Sequence, residues 1–563
     1  MSSIDWIVLI LTLLSIVAYG IYKSKNVKTI DGYILSDRSL PWYTVGLSVM
    51  ATQASAITFL SAPGLAYTSG MSFVQFYFGL PLAMIVLCVT FIPIFHKLKV
   101  YTAYEFLEKR FDVNTRVLTA SLFLIQRGIS TGITIFAPAI ILSSVLHVDL
   151  TLTTLGIGSL VVIYTVYGGT KAVSYTQLLQ MGIIFAGLLL AGILVVHLLP
   201  TNIGFRDALH IAGKSGKTNA IDFKLDLNNQ YTVWTGLIGG FFLQLSYFGT
   251  DQSQVGRYLT GASIKESRMG LLMNGLLKVP MQFCILLIGI LVFAYYQYHT
   301  PPLFFNEAEV NKLERSEHRE AYQGIMQKHE QLSQEKTLVI QNLTNALDQH
   351  EEAKVDGFRN QLQDYNNQEK VLREDLVKLM KKNDVEADTN DNNYIFLRFV
   401  IDVFPKGLIG LLIAIIFLAS MGATASAINS LSSTTVIDIY KRFVKKGADD
   451  AHYLLASRIS TLCWGIFTVI IALYANKLGN LLEAVNILGS LFYGTILGIF
   501  LVAFYAKSIS GRAVFIAALI TEVIIISLWK MDIMAFLWLN PIGAALVILF
   551  GFLIQALLPR RAV

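Results

Sequence analysis

The stretch VGLSVMATQASAITFLSAPG, from Val45 to Gly64, carries the strongest indication of the fold. It belongs to an apolar block long enough to cross a membrane, yet small and hydroxyl-bearing residues fill its middle, and Pro63-Gly64 close it. Such a segment is poor lipid-facing material. A helix interrupted in mid-membrane frees backbone carbonyls, which can hold a cation where they line a cavity. The stretch therefore predicts a broken transmembrane helix beside an internal site.

A second apolar block, near 233–250, has the same character, because Gly239-Gly240 is followed by the polar residues Gln244 and Tyr247. It lies five apolar blocks further along the chain than the first. That offset is expected when the two halves of an inverted repeat each begin with a broken helix around a midplane site. Close packing of unbroken helices through small residues is the alternative. The occurrence of both blocks at matching positions favours the site.

The composition of the whole chain indicates a membrane protein. Of its 563 residues, 54% are hydrophobic and only 15% are charged, against roughly 25% charged residues in soluble domains. The apolar residues fall into blocks of about 20, the length that crosses the hydrocarbon core as a helix. The sequence predicts an all-α polytopic membrane protein with about thirteen transmembrane helices. They lie near 6–22, 43–67, 73–95, 117–146, 150–167, 178–199, 233–250, 271–296, 408–436, 454–474, 482–505, 513–529 and 534–557.

Lysine and arginine residues concentrate in alternate loops, which predicts the orientation of the chain. Because cytoplasmic loops carry the excess of these residues, the N-terminus is expected outside and the C-terminus in the cytoplasm. The expected location is the cell membrane, plasma or inner. The clusters after the third and ninth predicted spans are Lys97, Lys99, Lys109 and Arg110, and Lys441, Arg442, Lys445 and Lys446.

One polar segment, 306–393, interrupts the apolar pattern and is rich in Glu, Gln, Lys, Asn and Asp. Leucines at helical spacing predict two long helices that fold back near Asp356-Gly357, on the outer face. The segment is interpreted as a solvated insertion or, alternatively, as a partner-docking or gating arm. The predicted organisation is an extra transmembrane helix and loop (1–40), the first inverted repeat with the start of the second (41–305), the hairpin insertion (306–393), the remainder of the second repeat (394–506) and two C-terminal transmembrane helices (507–563).

A few ionisable residues lie inside or at the ends of apolar blocks, namely Arg127, Asp251, Lys278 and Glu483. Such residues are expensive in a bilayer and usually mark a cavity or a pairing. We expect Arg127 to have a structural role in which its guanidinium pairs with backbone carbonyls. Lys278 lies well inside its block and is expected to face a cavity, whereas Glu483 could cap a helix.

Enzyme signatures are not found in the sequence. It contains no Walker A motif, no metal-ligand spacing of Cys or His and no nucleophile elbow,. The chain is therefore predicted not to be an enzyme, to need no cofactor and to have no nucleic-acid partner.

Several short motifs together resemble the solute:sodium symporter family. They are LIGL at 408–411 leading to DIYK at 438–441, DQ at 251–252 with RY at 257–258, YGGTKAV at 167–173 and EFLEKRF at 105–111. The stretch IFAPAIIL at 135–142 is most similar to the branch that carries iodide, vitamins and monocarboxylates. The resemblance covers nearly the whole chain except 306–393. It implies a leucine-transporter-type core of five plus five inverted helices, formed by the second to eleventh predicted spans and working by alternating access.

The resemblance also implies a sodium site. In the family, carbonyls of the first broken helix and of the hydroxyl-rich span hold one sodium ion, and alignment without gaps places them at Ala51, Ala54 and Ala419. The family's paired hydroxyl positions fall on Gly422 and Ala423, which carry no hydroxyl.

Two further features bear on this sodium site. A family acidic position falls on Gln177, so sodium coupling is less strongly implied than family membership. Ser420, Thr424 and Ser426 are candidate replacements for the missing hydroxyls.

Substrate positions are implied by sugar-transporting relatives, which use polar residues on the broken helices and neighbouring spans. The matching positions are Thr58, Tyr77, Gln244, Tyr247 and Lys278. Lys278 aligns with a substrate-contacting lysine, and Tyr77 replaces the acidic residue of the sugar carriers. A lysine without that carboxylate would suit an anionic solute.

The sequence as a whole predicts a secondary active transporter that carries a small organic solute or anion with sodium across the lipid bilayer. A sodium-independent or proton-coupled carrier of the same fold is the first alternative, favoured by Gly422, Ala423 and Gln177. A transporter-like membrane sensor is the second alternative.

Overall fold

The computed structural model describes residues 1–24, 29–146, 148–200, 203–349, 352–385, 387–475 and 480–558. Within these ranges the chain is helical, and an isolated bridge between Leu40 and Gly261 is the only strand-like pairing described. The prediction of an all-α polytopic protein is confirmed.

The described α-helices in the first half of the chain are α1 (Ser3–Ser24), α2 (Ile30–Leu35), α3 (Trp42–Gln53), α4 (Ala56–Ser69), α5 (Leu80–Val89), α6 (Phe91–Leu98), α7 (Tyr104–Arg110), α8 (Val113–Leu146), α9 (Leu150–His197), α10 (Phe205–Lys214), α11 (Phe241–Thr250), α12 (Gln252–Tyr258) and α13 (Ile264–Tyr298). Those in the second half are α14 (Glu307–Glu314), α15 (Arg319–Asp348), α16 (Glu352–Asn383), α17 (Ile395–Val403), α18 (Leu408–Thr434), α19 (Asp450–Ala472), α20 (Leu481–Tyr505), α21 (Gly511–Met531) and α22 (Leu539–Leu557). Shorter 3₁₀ segments cover Ser36–Arg38, Met71–Tyr77 and Phe536–Trp538, and π-helical segments cover Thr235–Gly240 and Thr435–Val444.

Ten described helical spans are long and apolar enough to cross a membrane, and the bent pair α3–α4 makes eleven. Two predicted spans fall short of that length. One is the apolar stretch Leu150–Ile163 at the start of α9, which a non-helical backbone at Gly169 (φ 59°, ψ 179°) separates from the span Gly169–His197. The other is α11 with the π-helical turn before it. The count of thirteen therefore stays a prediction, because it depends on how these two short segments sit in the bilayer.

The spans differ in how much lipid-facing surface they have. In the most apolar stretches of α18 and α8, 89% and 83% of the residues are buried, against 22% in α1 and α19. The hydroxyl-rich α18 is thus a central helix, and its polar side chains face protein instead of hydrocarbon. This arrangement is required because lipid cannot satisfy polar groups.

The polar segment folds as a long antiparallel pair, α15 and α16. Apolar residues along the pair pack on one another, and Lys336 forms an ion pair of 2.6 Å with Glu369. The predicted fold-back at Asp356-Gly357 was wrong, because the helices are separated between Asp348 and Glu352 and Gly357 lies inside α16. An exposed glycine costs a helix only about 1 kcal/mol, too little to break one this long.

The chain after α16 returns to the membrane domain past Asp388. Burial raises the pKa of the Asp388 carboxyl from 3.8 to about 6, and the charges of Glu309 and Asp391 add to the rise despite a hydrogen bond from Asn390 N. Between these pH values the folded protein binds more protons than the unfolded chain at this site. The stability contributed by this group therefore falls as the pH rises from about 4 to about 6.

Replacing this half-buried carboxyl by a neutral amide tests the pH dependence. We expect Asp388→Asn to raise the melting temperature at neutral pH and to change it little below pH 4, measured in detergent by thermal unfolding. The matched control is Asp356→Asn, since Asp356 is exposed on α16. An equal shift of both variants at every pH would contradict the prediction.

Candidate functional site

The predicted interruption of the first broken helix is confirmed at Ala54-Ser55, where α3 and α4 meet at a bend of 59°. In a continuous helix, the amides of Ser55 and Thr58 would donate to the carbonyls of Ala51 and Ala54. Here Ser55 N donates to Gln53 O at 3.1 Å, and Thr58 N donates to Ser55 O at 3.0 Å. The two carbonyls proposed as sodium ligands are therefore released from the helical hydrogen-bond pattern.

The second interruption lies at Asp251, beyond the Gly239-Gly240 pair that indicated it. Thr235–Gly240 and α11 run on as helix, and Asp251 then adopts an extended backbone with ψ of 118° before α12 begins. The glycines serve close packing instead, because a Cβ atom on Gly240 would lie 2.7 Å from Phe76 O. The Asp251 carboxylate caps α12 by accepting a hydrogen bond of 2.8 Å from Ser253 N.

A cavity of about 80 Å³ lies between the two interrupted helices. Four of the five predicted substrate residues line it, namely Thr58, Tyr77, Gln244 and Tyr247. The other polar residues in its wall are Gln53, Ser55, Arg127, Asn486 and Tyr493.

Two glutamines at this cavity each have one amide atom without a described hydrogen-bond partner. Gln53 Nε2 donates to Gln244 Oε1 at 3.4 Å. Gln53 Oε1 and Gln244 Nε2 are buried and have no hydrogen-bond partner among the described residues. Because buried polar groups are normally satisfied, one acceptor and one donor are available to a polar solute.

Lys278 is the predicted substrate residue that the structure does not bring into the cavity wall. Its side chain is fully buried in α13, and Nζ lies 5.7 Å from the centre of the Tyr77 ring. Tyr77 itself lines the cavity. Lys278 therefore lies behind Tyr77 and outside the cavity wall in this conformation, and its contact with a solute stays a prediction.

Arg127, which does line the cavity, pairs with Asp251 and not with backbone carbonyls. Arg127 Nε donates to Asp251 Oδ2 at 3.0 Å, and Nη2 contacts the same oxygen. Tyr493 Oη accepts from Arg127 Nη2 at 2.9 Å and donates to Asp251 Oδ2 at 3.0 Å. The guanidinium also lies 5.2 Å from the centre of the Tyr247 ring. A buried positive charge thus stands in the cavity wall, held by one carboxylate and two tyrosines.

Sequence reasoning named Arg127 and Asp251 separately and missed their pairing. The two residues are 124 positions apart. The one sequence feature that could have predicted the pairing is that the two residues carry opposite charges and lie in apolar blocks. Glu483, by contrast, lies in the first turn of α20 and accepts a hydrogen bond of 3.2 Å from Tyr231 Oη.

Gln177 lies on α9 and hydrogen-bonds to α3 and α18, the two helices of the candidate sodium region. Its Nε2 donates to Gly422 O at 3.1 Å and to Ser426 Oγ at 3.0 Å, both on α18. Its Oε1 accepts a hydrogen bond of 2.6 Å from Ser48 Oγ on α3. The amide therefore fastens α9 to the two helices that carry the proposed carbonyl ligands.

The candidate hydroxyls on α18 separate into two faces. Ser426 Oγ lies 3.1 Å from Thr52 Oγ1 and so belongs to the contact with α3. Ser420 Oγ donates to Thr134 O on α8 at 3.2 Å, and Thr424 follows one turn later on that same face. The structure therefore brings Ser426 to the residue that follows Ala51, whereas Thr424 Oγ1 is buried without a partner among the described residues, so its role stays a prediction.

The site is an internal chamber whose two parts suit different kinds of ligand. Neutral oxygens beside the first break suit a hard cation, and the neighbouring cavity offers amides and a guanidinium. The model for the sodium:solute symporter family matches residues 33–313 and 374–521, more than half of the chain. This chain belongs to the sodium:solute symporter family. The unmatched stretch between the two ranges begins at the end of α14, includes α15 and ends within α16.

Curated members of the family are similar over different shares of their length. The human sodium/iodide cotransporter is 32% identical over 275 residues, which are 48% of this chain and 41% of that protein. The chain thus covers less than half of this relative. The sodium/sialic acid symporter SiaT of Proteus mirabilis is 25% identical over an alignment that covers 97% of this chain and 94% of the SiaT chain.

A solved structure shows the same fold. It is the substrate-bound, outward-open state of a Na⁺-coupled sialic acid symporter, with a TM-score of 0.76 and 22% identity over 99% of this chain and 98% of that one. The predicted leucine-transporter-type fold of this family member is confirmed.

Proposed function

We propose that this family member is a secondary active transporter that moves a small anionic solute together with sodium by alternating access. The observation that carries the proposal is the Arg127 guanidinium in the wall of a cavity that lies directly beside the interrupted helix α3–α4. The guanidinium is ion-paired with Asp251, and at the cavity wall it offers charge-assisted N–H donors to an anion, while the freed carbonyls supply a cation site,.

Arg127 supports the anionic character of the solute. A guanidinium carries five N–H donors, and the contacts with Asp251 and Tyr493 engage Nε and Nη2. The contacts with Asp251 and Tyr493 do not use Nη1, and charge-assisted hydrogen bonds from a guanidinium suit carboxylates and similar anions,. Gln53 and Gln244 add an acceptor and a donor for the rest of the solute.

The freed carbonyls support the sodium coupling. Ala51 and Ala54 present oxygens at the end of α3, and Ala419 lies on α18 less than a turn from Gly422, whose carbonyl Gln177 binds. The relatives that the chain matches are named as sodium-coupled symporters.

The coupling works because the ion binds the outward-open, substrate-competent state more tightly than the other state. Each net positive charge that enters per cycle through 100 mV supplies about 2.3 kcal/mol, which for a monovalent anion requires more than one sodium ion per solute. That energy corresponds to about fiftyfold accumulation of solute.

The orientation and location belong to the same proposal. We place the N-terminus outside, the C-terminus in the cytoplasm and the protein in the plasma or inner membrane, because the segments between membrane spans at Lys97–Arg110 and Lys441–Lys446 are basic,.

Uptake into proteoliposomes tests the proposed activity. We expect an inward sodium gradient to drive accumulation of at least one anion from a panel of iodide, short monocarboxylates and sialic acid, and a potassium gradient to drive none. Equal uptake in sodium and potassium would replace the proposal by a sodium-independent carrier. A panel of neutral sugars is the control for the charge of the solute.

A further inference from the structure

The space beside Gly422 is filled by another side chain. Gly422 lies on α18 three residues after Ala419, and a Cβ atom built on it would lie 2.6 Å from Gln180 Oε1. The amide oxygen of Gln180 therefore occupies the volume into which a side chain at position 422 would project. The glycine and the glutamine depend on one another, because a larger residue at 422 would displace the amide.

Gln180 Oε1 has no described hydrogen-bond partner in this volume. The side chain is 1% exposed, and its oxygen is buried without a donor from any residue that the structure describes. A buried acceptor left unsatisfied is costly, and a bound cation or an ordered water can satisfy such a group where no protein donor reaches it. The oxygen therefore marks a position at which a positively polarised ligand would be stabilised.

The described hydrogen bonds of the neighbouring Gln177 amide go to residues other than Gln180. It lies three residues before Gln180 on the same face of α9, and its own amide is already used by Ser48, Ser426 and the Gly422 carbonyl. These contacts hold the face of α9 against α3 and α18. Gln180 Oε1 is thereby fixed near the helix turn that carries Ala419.

We propose that Gln180 Oε1 is a side-chain ligand of the coupling sodium ion, together with the carbonyl oxygens of Ala51, Ala54 and Ala419. The inference rests on the sodium-coupled function proposed above. An amide oxygen is a neutral hard ligand of the type that oxygen-binding cations accept. It stands where a hydroxyl on residue 422 would otherwise project, so the glutamine supplies the oxygen that Gly422 lacks.

Removing the amide oxygen at constant size is the first test. The thermal stabilisation of the purified full-length protein by sodium over potassium reports binding without transport. We expect Gln180→Met to weaken the apparent sodium affinity by about tenfold or more, while its melting temperature in potassium stays at the wild-type value or rises. Gln180→Glu keeps an oxygen at the same place and is expected to retain or strengthen the sodium response.

A rescue experiment separates a ligand from a merely structural residue. Gln180→Ala is expected to lose the sodium response, and the double variant Gln180→Ala with Gly422→Ser is expected to regain it, because the serine hydroxyl enters the vacated volume. Gln126→Met is the matched control, since Gln126 on α8 is also buried with an unpartnered Oε1. That control is expected to keep the wild-type sodium affinity.

The outcomes distinguish the two proposals. If sodium stabilises the wild-type protein and Gln180→Met responds with the same affinity, the ligand assignment is overturned and sodium coupling stands. Loss of the response in Gln180→Glu, with melting in potassium unchanged, would also overturn it. If sodium neither stabilises the wild-type protein nor drives uptake, sodium coupling fails, and the ligand assignment fails with it.

Discussion

The Arg127→Gln protein is expected to lose solute uptake to background and to be destabilised by about 3–5 kcal/mol. The guanidinium is the positive group in the cavity wall, so its removal deletes the proposed anion contact. The same change leaves the fully buried carboxylate of Asp251 without its ion-pair partner. Uptake in proteoliposomes and thermal unfolding in detergent measure the two effects separately.

A double variant without either charge shows whether uptake is lost through the missing anion contact or through lower stability. Arg127→Gln with Asp251→Asn removes both charges, so most of the lost stability is expected to return, since a buried ion pair is often worth little net free energy. Uptake is expected to stay absent. Transport by the stable double variant would show that the guanidinium does not bind the solute.

The Gly64→Val protein is expected to be destabilised by about 1–3 kcal/mol and to transport slowly. Gly64 lies on α4, and a Cβ atom on it would come within 1.9 Å of Asn392 O. Ser61 Oγ, one turn earlier, donates to Asn393 Oδ1 at 2.7 Å. A larger residue therefore pushes the chain that follows the α15–α16 pair away from the helix that carries Thr58. Melting temperature and the maximal uptake rate are the measurements.

A glycine in open surroundings provides the control for this steric prediction. A Cβ atom on Gly182 of α9 would have nothing within 4 Å. Gly182→Ala is expected to stabilise the helix by up to about 1 kcal/mol and to leave uptake unchanged. Unchanged stability and uptake in Gly64→Val would show that the segment around Asn392 is free to move off α4.

The transmembrane character and the first interruption could be predicted from local sequence. Membrane insertion depends on the summed hydrophobicity of about 20 neighbouring residues, which a window along the chain measures directly. The break at Ala54-Ser55 follows from small and hydroxyl residues concentrated in one such window.

Tertiary structure alone decided which polar side chains meet. Successive residues of a helix point about 100° apart, so the rotation of each helix determines whether a side chain reaches a cavity, a neighbouring helix or lipid. That rotation brought Arg127 to Asp251, kept Lys278 against Tyr77 and placed Gln180 Oε1 beside Gly422. Local sequence determined that the chain spans the membrane with a broken helix, because burial in lipid is a property of short segments. The composition of the site was decided by packing between segments far apart in the chain.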